Sequence, residues 1–393
     1  MKITDVEIFQ LGSQATGSAT WAANSIILRL TTSDGLQGYG EAVPTLRVQP
    51  VIQSLKEVAR VYKGKDPFET EKNMNEWAKH DFYLPVSFES TTALSAFDIA
   101  CWDLIGKHFG EPVYRLLGGK LRDRVRLYLN GWYADCVKPE QFAVAARRWN
   151  EKGYGALKFD PFGAAYDDID QKQLEDAYSR VKAVRDATDG KVQLLIEHHG
   201  RFGSDAAIRI AEKFEQFSPL FMEEPVHPED IEGLRKYRSR VKLKVALGER
   251  LINIGQVLLM LRDNLVDYLQ VDLANIGGIT RAVRVSKIAE AFDVRMAFHN
   301  AFGPIQNAAT IQVDASISNF LIQESFFDCF PSWKRALVKS SPHVISGYSA
   351  IPDRPGLGVE VDEKVLESHR VDGQEYFNPD EPVWVVKGTW KDL

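Results

Sequence analysis

Cysteine is scarce: Cys101, Cys136 and Cys329 are the only three in 393 residues. They are odd in number and widely separated, which argues against a disulfide framework. No CxxC pair offers a zinc or redox motif, and the usage suits a reducing cytoplasm. No uncharged apolar run reaches about 18 residues, so a membrane-spanning helix is not expected. A dense Lys/Arg block is missing, and the net charge of −6 argues against nucleic acid or an anionic membrane as the main partner. The chain also lacks low-complexity tracts and linker-like segments. Its first residues, MKITDVEIFQL, alternate and carry acids early, so they read as a strand rather than a signal peptide.

What is present is an ordinary globular composition. Hydrophobic residues make up 45% and charged residues 26%, values that disfavour disordered and fibrous classes. The length allows more than one domain. Asn24–Thr32 and Leu36–Val43 flank Ser33-Asp34-Gly35, a hairpin signal. Residues 87–110 predict a helix, with Ser/Thr at its start and Gly110 at its stop. Residues 1–124 thus read as an α+β unit.

From 125 the pattern changes. Short apolar runs alternate with amphipathic helices: VRLYLNG (125–131), GALKFD (155–160), VQLLIE (192–197), LFMEE (220–224), KVALGE (244–249), DYLQVD (267–272), VRMAFH (294–299) and FLIQE (320–324). DAAIRIAEKFEQF (205–217) is one of the intervening helices. Eight such units predict a (β/α)8-type barrel over 125–355. The tail, 356–393, ends in the alternating PVWVVKGTW and is expected to return to the first unit.

Ionisable groups end most of these runs. Glu197, Glu223 and Glu249 recur at equal spacing; Asp272, His299 and Glu324 follow, and the second run carries Lys158 and Asp160. In such a barrel the strand C-termini open on one face, which holds the active site. Three carboxylates brought together repel one another, and an all-oxygen set suits Mg²⁺. Glu197, Glu223 and Glu249 are therefore the candidate ligands. Asp272 beside His299 makes a candidate general base. If extended geometry persists past Ile196, Glu197 and His199 share a face, so His199 is a second acid/base group and His198 a structural residue. Lys158 can bind a substrate carboxylate. A cation that stabilises an enediolate, a base for the α-proton and an acid for a β-hydroxyl together suit dehydration of a hydroxy acid.

The segments IEHHGRF, FMEEPV, ALGE, QVD…NIGGIT, FHNAFG, FLIQE and PGLGVEVDE resemble the enolase superfamily in its mandelate racemase-like subgroup, over nearly the whole chain. The resemblance implies a capping domain, a (β/α)7β barrel and one Mg²⁺ on the third, fourth and fifth strands. GSATWA, GEAVPTLR, FDPFG, EHHGRF and KGTW are most similar to archaeal gluconate dehydratases, which form 2-keto-3-deoxygluconate in Entner–Doudoroff-type pathways. In that likeness His299, oriented by Asp272, takes the C2 proton and His199 assists departure of the C3 hydroxyl. Lys158 and Glu324 position the carboxylate and stabilise the enediolate. Capping loops around 18–22 and 43–48, with Trp21 and Tyr83, would join Lys158 and Asp160 in substrate binding. Two departures stand out. The first ligand is Glu197 where the superfamily usually has Asp, and Asp160 replaces the second lysine of Lys-x-Lys. The expected protein is a cytoplasmic, homo-oligomeric enzyme with a small sugar-acid substrate. Galactonate or C5-aldonate dehydration, a racemase or cycloisomerase, a metal-free glycosidase and a non-catalytic sugar-acid binding protein are the competing readings.

Overall fold

The computed structural model describes residues 1–12, 24–44, 47–80, 87–339 and 344–374. Strands β1 (Ile3–Leu11), β2 (Ser25–Thr32) and β3 (Gln37–Ala42) form an antiparallel sheet in that order. The β2–β3 turn closes through Gly35 N–H to Thr32 O at 2.9 Å, with Gly35 at φ 82°. Helix Val48–Tyr62 packs beside the sheet and buries Val51, Ile52, Leu55, Val58 and Tyr62, one stripe at three- and four-residue spacing. Helix Phe88–Phe109 starts at a Ser87/Ser90 capping box and stops at left-handed Gly110. It is buried nearly all round because it lies between this sheet and the second unit, where Asp98 and Trp102 both reach Thr280.

The second unit is a parallel barrel of β4 (Arg124–Leu129), β5 (Ala156–Phe159), β6 (Gln193–Glu197), β7 (Phe221–Glu223), β8 (Val245–Leu247), β9 (Tyr268–Leu269), β10 (Arg295–Met296) and β11 (Gln323–Ser325). The strands pair in chain order. β11 returns to β4, and the ring closes at the Met296–Phe320 bridge. Several regular strands are shorter than the apolar runs predict. The side-chain alternation nevertheless continues through the ends of most runs.

That alternation builds the site. Tyr128, Ala156, Leu195, Phe221, Ala246, Ala297 and Ile322 form an inner cluster with Tyr268 packed against it. Leu157, Leu194, Ile196 and Met222 belong instead to the outer core shared with the helices. One pleat repeat beyond the inner layer stand Asn130, Lys158, Glu197, Glu223, Gln270, His299 and Glu324. The pleat period of two puts each on the same face as the apolar residue below it. Described residues 363–374 lie on the first sheet: Val371 N–H donates to Gln10 O at 2.9 Å, and Gly12 N–H to His369 O at 2.9 Å. PVWVVKGTW lies outside the described residues. Among the described residues no helix is long and apolar enough to cross a membrane.

Candidate active site

Glu197 and Glu223 are register partners on β6 and β7. Glu249 follows β8 after Gly248, whose φ of 149° breaks the alternation and aims the next residue inward. A Cβ at Gly248 would sit 2.6 Å from Val271 N, so only glycine fits. One oxygen from each of the three carboxylates lies within 4.8 Å of the others.

Their electrostatics call for a cation. Burial and the neighbouring Glu197 charge push Glu223 well above the usual carboxylate range. Burial also raises Glu249. Lys158 Nζ sits 2.6 Å from Glu223, 2.8 Å from Glu324 and 3.0 Å from Glu197. Around this point crowd Asp160, Glu197, Glu223, Glu224, Glu249, Asp272 and Glu324, against the permanent cations Lys158, Arg201 and Arg250. Glu197 Oε2 is buried and meets Lys158 Nζ as an ion pair without hydrogen-bond geometry. The donor set therefore fits a hard, oxygen-seeking cation at Glu197, Glu223 and Glu249.

Asp272 and His299 meet at a parallel bridge between adjacent strands. His299 Nδ1 lies 2.6 Å from Asp272 Oδ2. Asp272 Oδ1 accepts from Ala274 N–H at 2.6 Å and from Gln306 Nε2 at 2.7 Å. With Nδ1 engaged by Asp272, Nε2 is the ring nitrogen left to face the glutamates. Nε2 faces Glu249 at 3.4 Å and Glu324 at 3.7 Å. Burial opposes charging of the imidazole, yet Glu249, Glu324 and Asp272 together hold its pKa up at about 10.

A second Asp–His pair stands across the triad. His199 Nδ1 is 2.7 Å from Asp160 Oδ2, and its N–H donates to Glu197 Oε1 at 2.7 Å. Continued strand geometry does not put it there. β6 ends at Glu197, and His199 adopts φ 53°, so a left-handed turn presents the ring. Burial works against its charged form, but Glu197 and Asp160 raise its pKa and favour the proton-carrying state an acid needs. His198 is buried in the outer core. Its ring packs tilted against Phe162, its Nδ1 is 3.0 Å from Glu223 O, and burial lowers its pKa to about 4.

Asp160, expected to join in substrate binding, lies against neighbouring side chains. Its carboxylate is occupied by Arg201, through Nη1 at 2.5 Å and Nη2 at 3.0 Å, and by His199. The His199 ring is thereby held at Nδ1. Lys158 is likewise buried among carboxylates, 1% exposed, and Glu324 is fully enclosed, held by Lys158, Asn130 and the Asn300 N–H. Trp21 and Tyr83 lie outside the described residues, as do the whole loop at 18–22 and residues 45–46 of the loop at 43–48.

Arg201, Asn130, Gln270 and Gln306 were missed from the sequence. Asn130 and Gln270 carried a usable signal, since each stands two residues beyond an inward Tyr128 or Tyr268. Arg201 and Gln306 carried none, because their partners are remote in the chain. Arg201→Met should lower turnover about tenfold by releasing Asp160 and His199, with cation affinity unchanged. Arg201→Lys should restore little of it, because an ammonium lacks the fork that holds a carboxylate at two points. Steady-state kinetics with a parallel cation titration checks both.

Residues 141–365 match the enolase C-terminal domain-like family, and residues 7–118 match the mandelate racemase / muconate lactonizing enzyme N-terminal domain. The chain is 48% identical over 389 residues to the D-gluconate dehydratase of Thermoproteus tenax, covering 99% of this chain and 78% of that one. It is 47% identical over 389 residues to the D-gluconate/D-galactonate dehydratase of Picrophilus torridus, covering 99% of each. The solved mandelate racemase/muconate lactonizing enzyme from Sulfitobacter sp superposes with a TM-score of 0.87 at 31% identity, over 96% of this chain and 98% of that one.

Proposed function

The chain belongs to the mandelate racemase / muconate lactonizing enzyme family of the enolase superfamily, and on that premise we propose that it is a Mg²⁺-dependent sugar-acid dehydratase, a hydro-lyase acting on D-gluconate. The observation that carries the reading is the pair of histidines, each with a carboxylate on Nδ1, flanking three clustered glutamates. The full-length likeness to dehydratases of gluconate and galactonate supports the substrate class.

Glu197, Glu223 and Glu249 would hold Mg²⁺, which would supply positive charge to offset the negative charge developing on an α-hydroxy acid. His299 Nε2 removes the C2 proton, and Asp272 stabilises the imidazolium that results. His199 gives its proton to the C3 hydroxyl, which leaves as water when the C3–O bond breaks. The enol so formed takes a proton at C3 and gives up its C2 hydroxyl proton, becoming the 2-keto-3-deoxy acid. Lys158 and Glu324 stabilise charge developing at the carboxylate end, while Asp160 and Arg201 hold His199 on its side. Two-base racemisation fits less well, because Asp160, where relatives carry a second-strand lysine, is tied to Arg201 and His199. Gluconate and galactonate share their C2 and C3 configuration and differ at C4. Their discrimination therefore falls to hydrogen bonds remote from the chemistry. The resemblance and the cysteine usage also support a cytoplasmic homo-oligomer.

Incubating the protein with D-gluconate and Mg²⁺ should yield a 2-keto-3-deoxy acid, with D-galactonate as the comparison substrate. Deuterium entering C2 of recovered substrate, with no keto product, would sink dehydration and favour an isomerase.

A further inference from the structure

Glu41 is a carboxylate outside the site just described, 1% exposed, on β3 of the capping sheet. Its Oε2 accepts from the N–H of Ile305 at 3.1 Å and of Gln306 at 3.0 Å. These groups lie in the first turn of the barrel helix Pro304–Ser316, whose own N-cap, Gly303, has no side chain to satisfy them. Ser25 Oγ donates to Glu41 Oε1 at 3.1 Å. Gly303 is required beside it, since a Cβ there would overlap Glu41 Oε1. The capping domain thus supplies a helix cap to the barrel in trans.

The capped turn faces the dyad. Gln306 is fully buried. Its Oε1 accepts from Phe302 N–H at 3.3 Å, and its Nε2 donates to Asp272 Oδ1 at 2.7 Å. Asp272 Oδ2 in turn holds His299 Nδ1. Phe302, between the base and the capped turn, packs its ring 5.6 Å from the His299 ring. An unbroken hydrogen-bonded path therefore runs from Glu41 through the Gln306 amide and side chain to Asp272 and His299.

We propose that Glu41 is a positioning residue: through the first turn of helix 304–316 and Gln306 it fixes the Asp272–His299 dyad, so the dyad is set correctly only when the capping domain is docked. The carboxylate never reaches substrate. It decides where Gln306 stands, and Gln306 decides the rotation of Asp272. This inference rests on His299 being the base of the proposed reaction.

The test is a double-mutant cycle of Glu41→Gln, Gln306→Leu and the pair, on full-length protein with Mg²⁺ and D-gluconate. Each single variant should lower kcat about tenfold with KM within twofold. Each should also raise the primary isotope effect from C2-deuterated substrate, because proton removal slows selectively. The double variant should lose no more than the worse single one. Multiplying losses, an unchanged isotope effect, or wild-type kcat in folded Glu41→Gln would each overturn the proposal. If Glu41→Gln does not fold, Gly303→Ala displaces the carboxylate without changing its charge. The same selective loss is expected, and wild-type kcat there overturns the proposal. Wild-type turnover is scored first, so failure of the dehydratase reading shows as no product in the parent protein rather than as a null difference among variants.

Discussion

His299→Asn should lower kcat for sugar-acid dehydration by about 10³-fold, the scale on which removing a positioned general base acts. Asparagine keeps a polar group of similar reach but has no nitrogen that can take a proton. KM should change little, because His299 contacts carboxylates and Asp272 rather than forming the ligand triad. Exchange of the C2 proton with solvent should disappear together with turnover. Turnover surviving within tenfold of the parent would mean that another group removes the proton. The pH dependence has a definite sign. The base works only when neutral, so the rate should rise as pH rises through its pKa. With no cation at the triad that pKa is held at about 10 by Glu249, Glu324 and Asp272. A divalent cation on Glu249 cancels part of that negative field and should move the rising limb to lower pH.

Removing the cation should abolish activity, and adding Mg²⁺ back should restore it. Stability provides a readout independent of turnover. Saturating Mg²⁺ at about 100 times its Kd contributes about 2.7 kcal/mol to the folded state, so the melting temperature should rise by a few degrees. Glu223→Gln separates site from fold. Burial and Glu197 already push Glu223 upward, so removing its charge relieves repulsion. The cation-free variant should therefore melt no lower than the cation-free parent, yet show neither the Mg²⁺-induced rise nor activity. A melting temperature equally sensitive to Mg²⁺ in parent and variant would place the ion elsewhere.

Arg201 and Gln306 mark the boundary of what could be read along the chain. The first lies four residues beyond Glu197 and the second seven beyond His299, yet no local pattern separates them from surface polar residues. Their partners, Asp160 and Asp272, are 41 and 34 residues away in sequence. Only the pairing of neighbouring barrel strands brings each pair within hydrogen-bond distance. Asp160 shows the same point in reverse. Its place at a strand end suggested contact with substrate, and nothing along the chain pointed to the buried guanidinium from the next barrel loop that meets it.

The alternation, and with it the inward layer, is legible in the chain alone. Ala156 then Lys158, Leu195 then Glu197, Phe221 then Glu223, Ala297 then His299 and Ile322 then Glu324 each follow from a pleat that returns to one face every second residue. That rule is local, so it can be read in a single strand. Tertiary structure alone decided what breaks the rule or crosses it: the left-handed turn that presents His199, the strained Gly248 that aims Glu249, the capture of Asp160 by Arg201, and the capping-domain carboxylate on the helix behind the dyad. Each depends on atoms brought together by packing from distant parts of the chain, and backbone period carries no information about which distant group arrives.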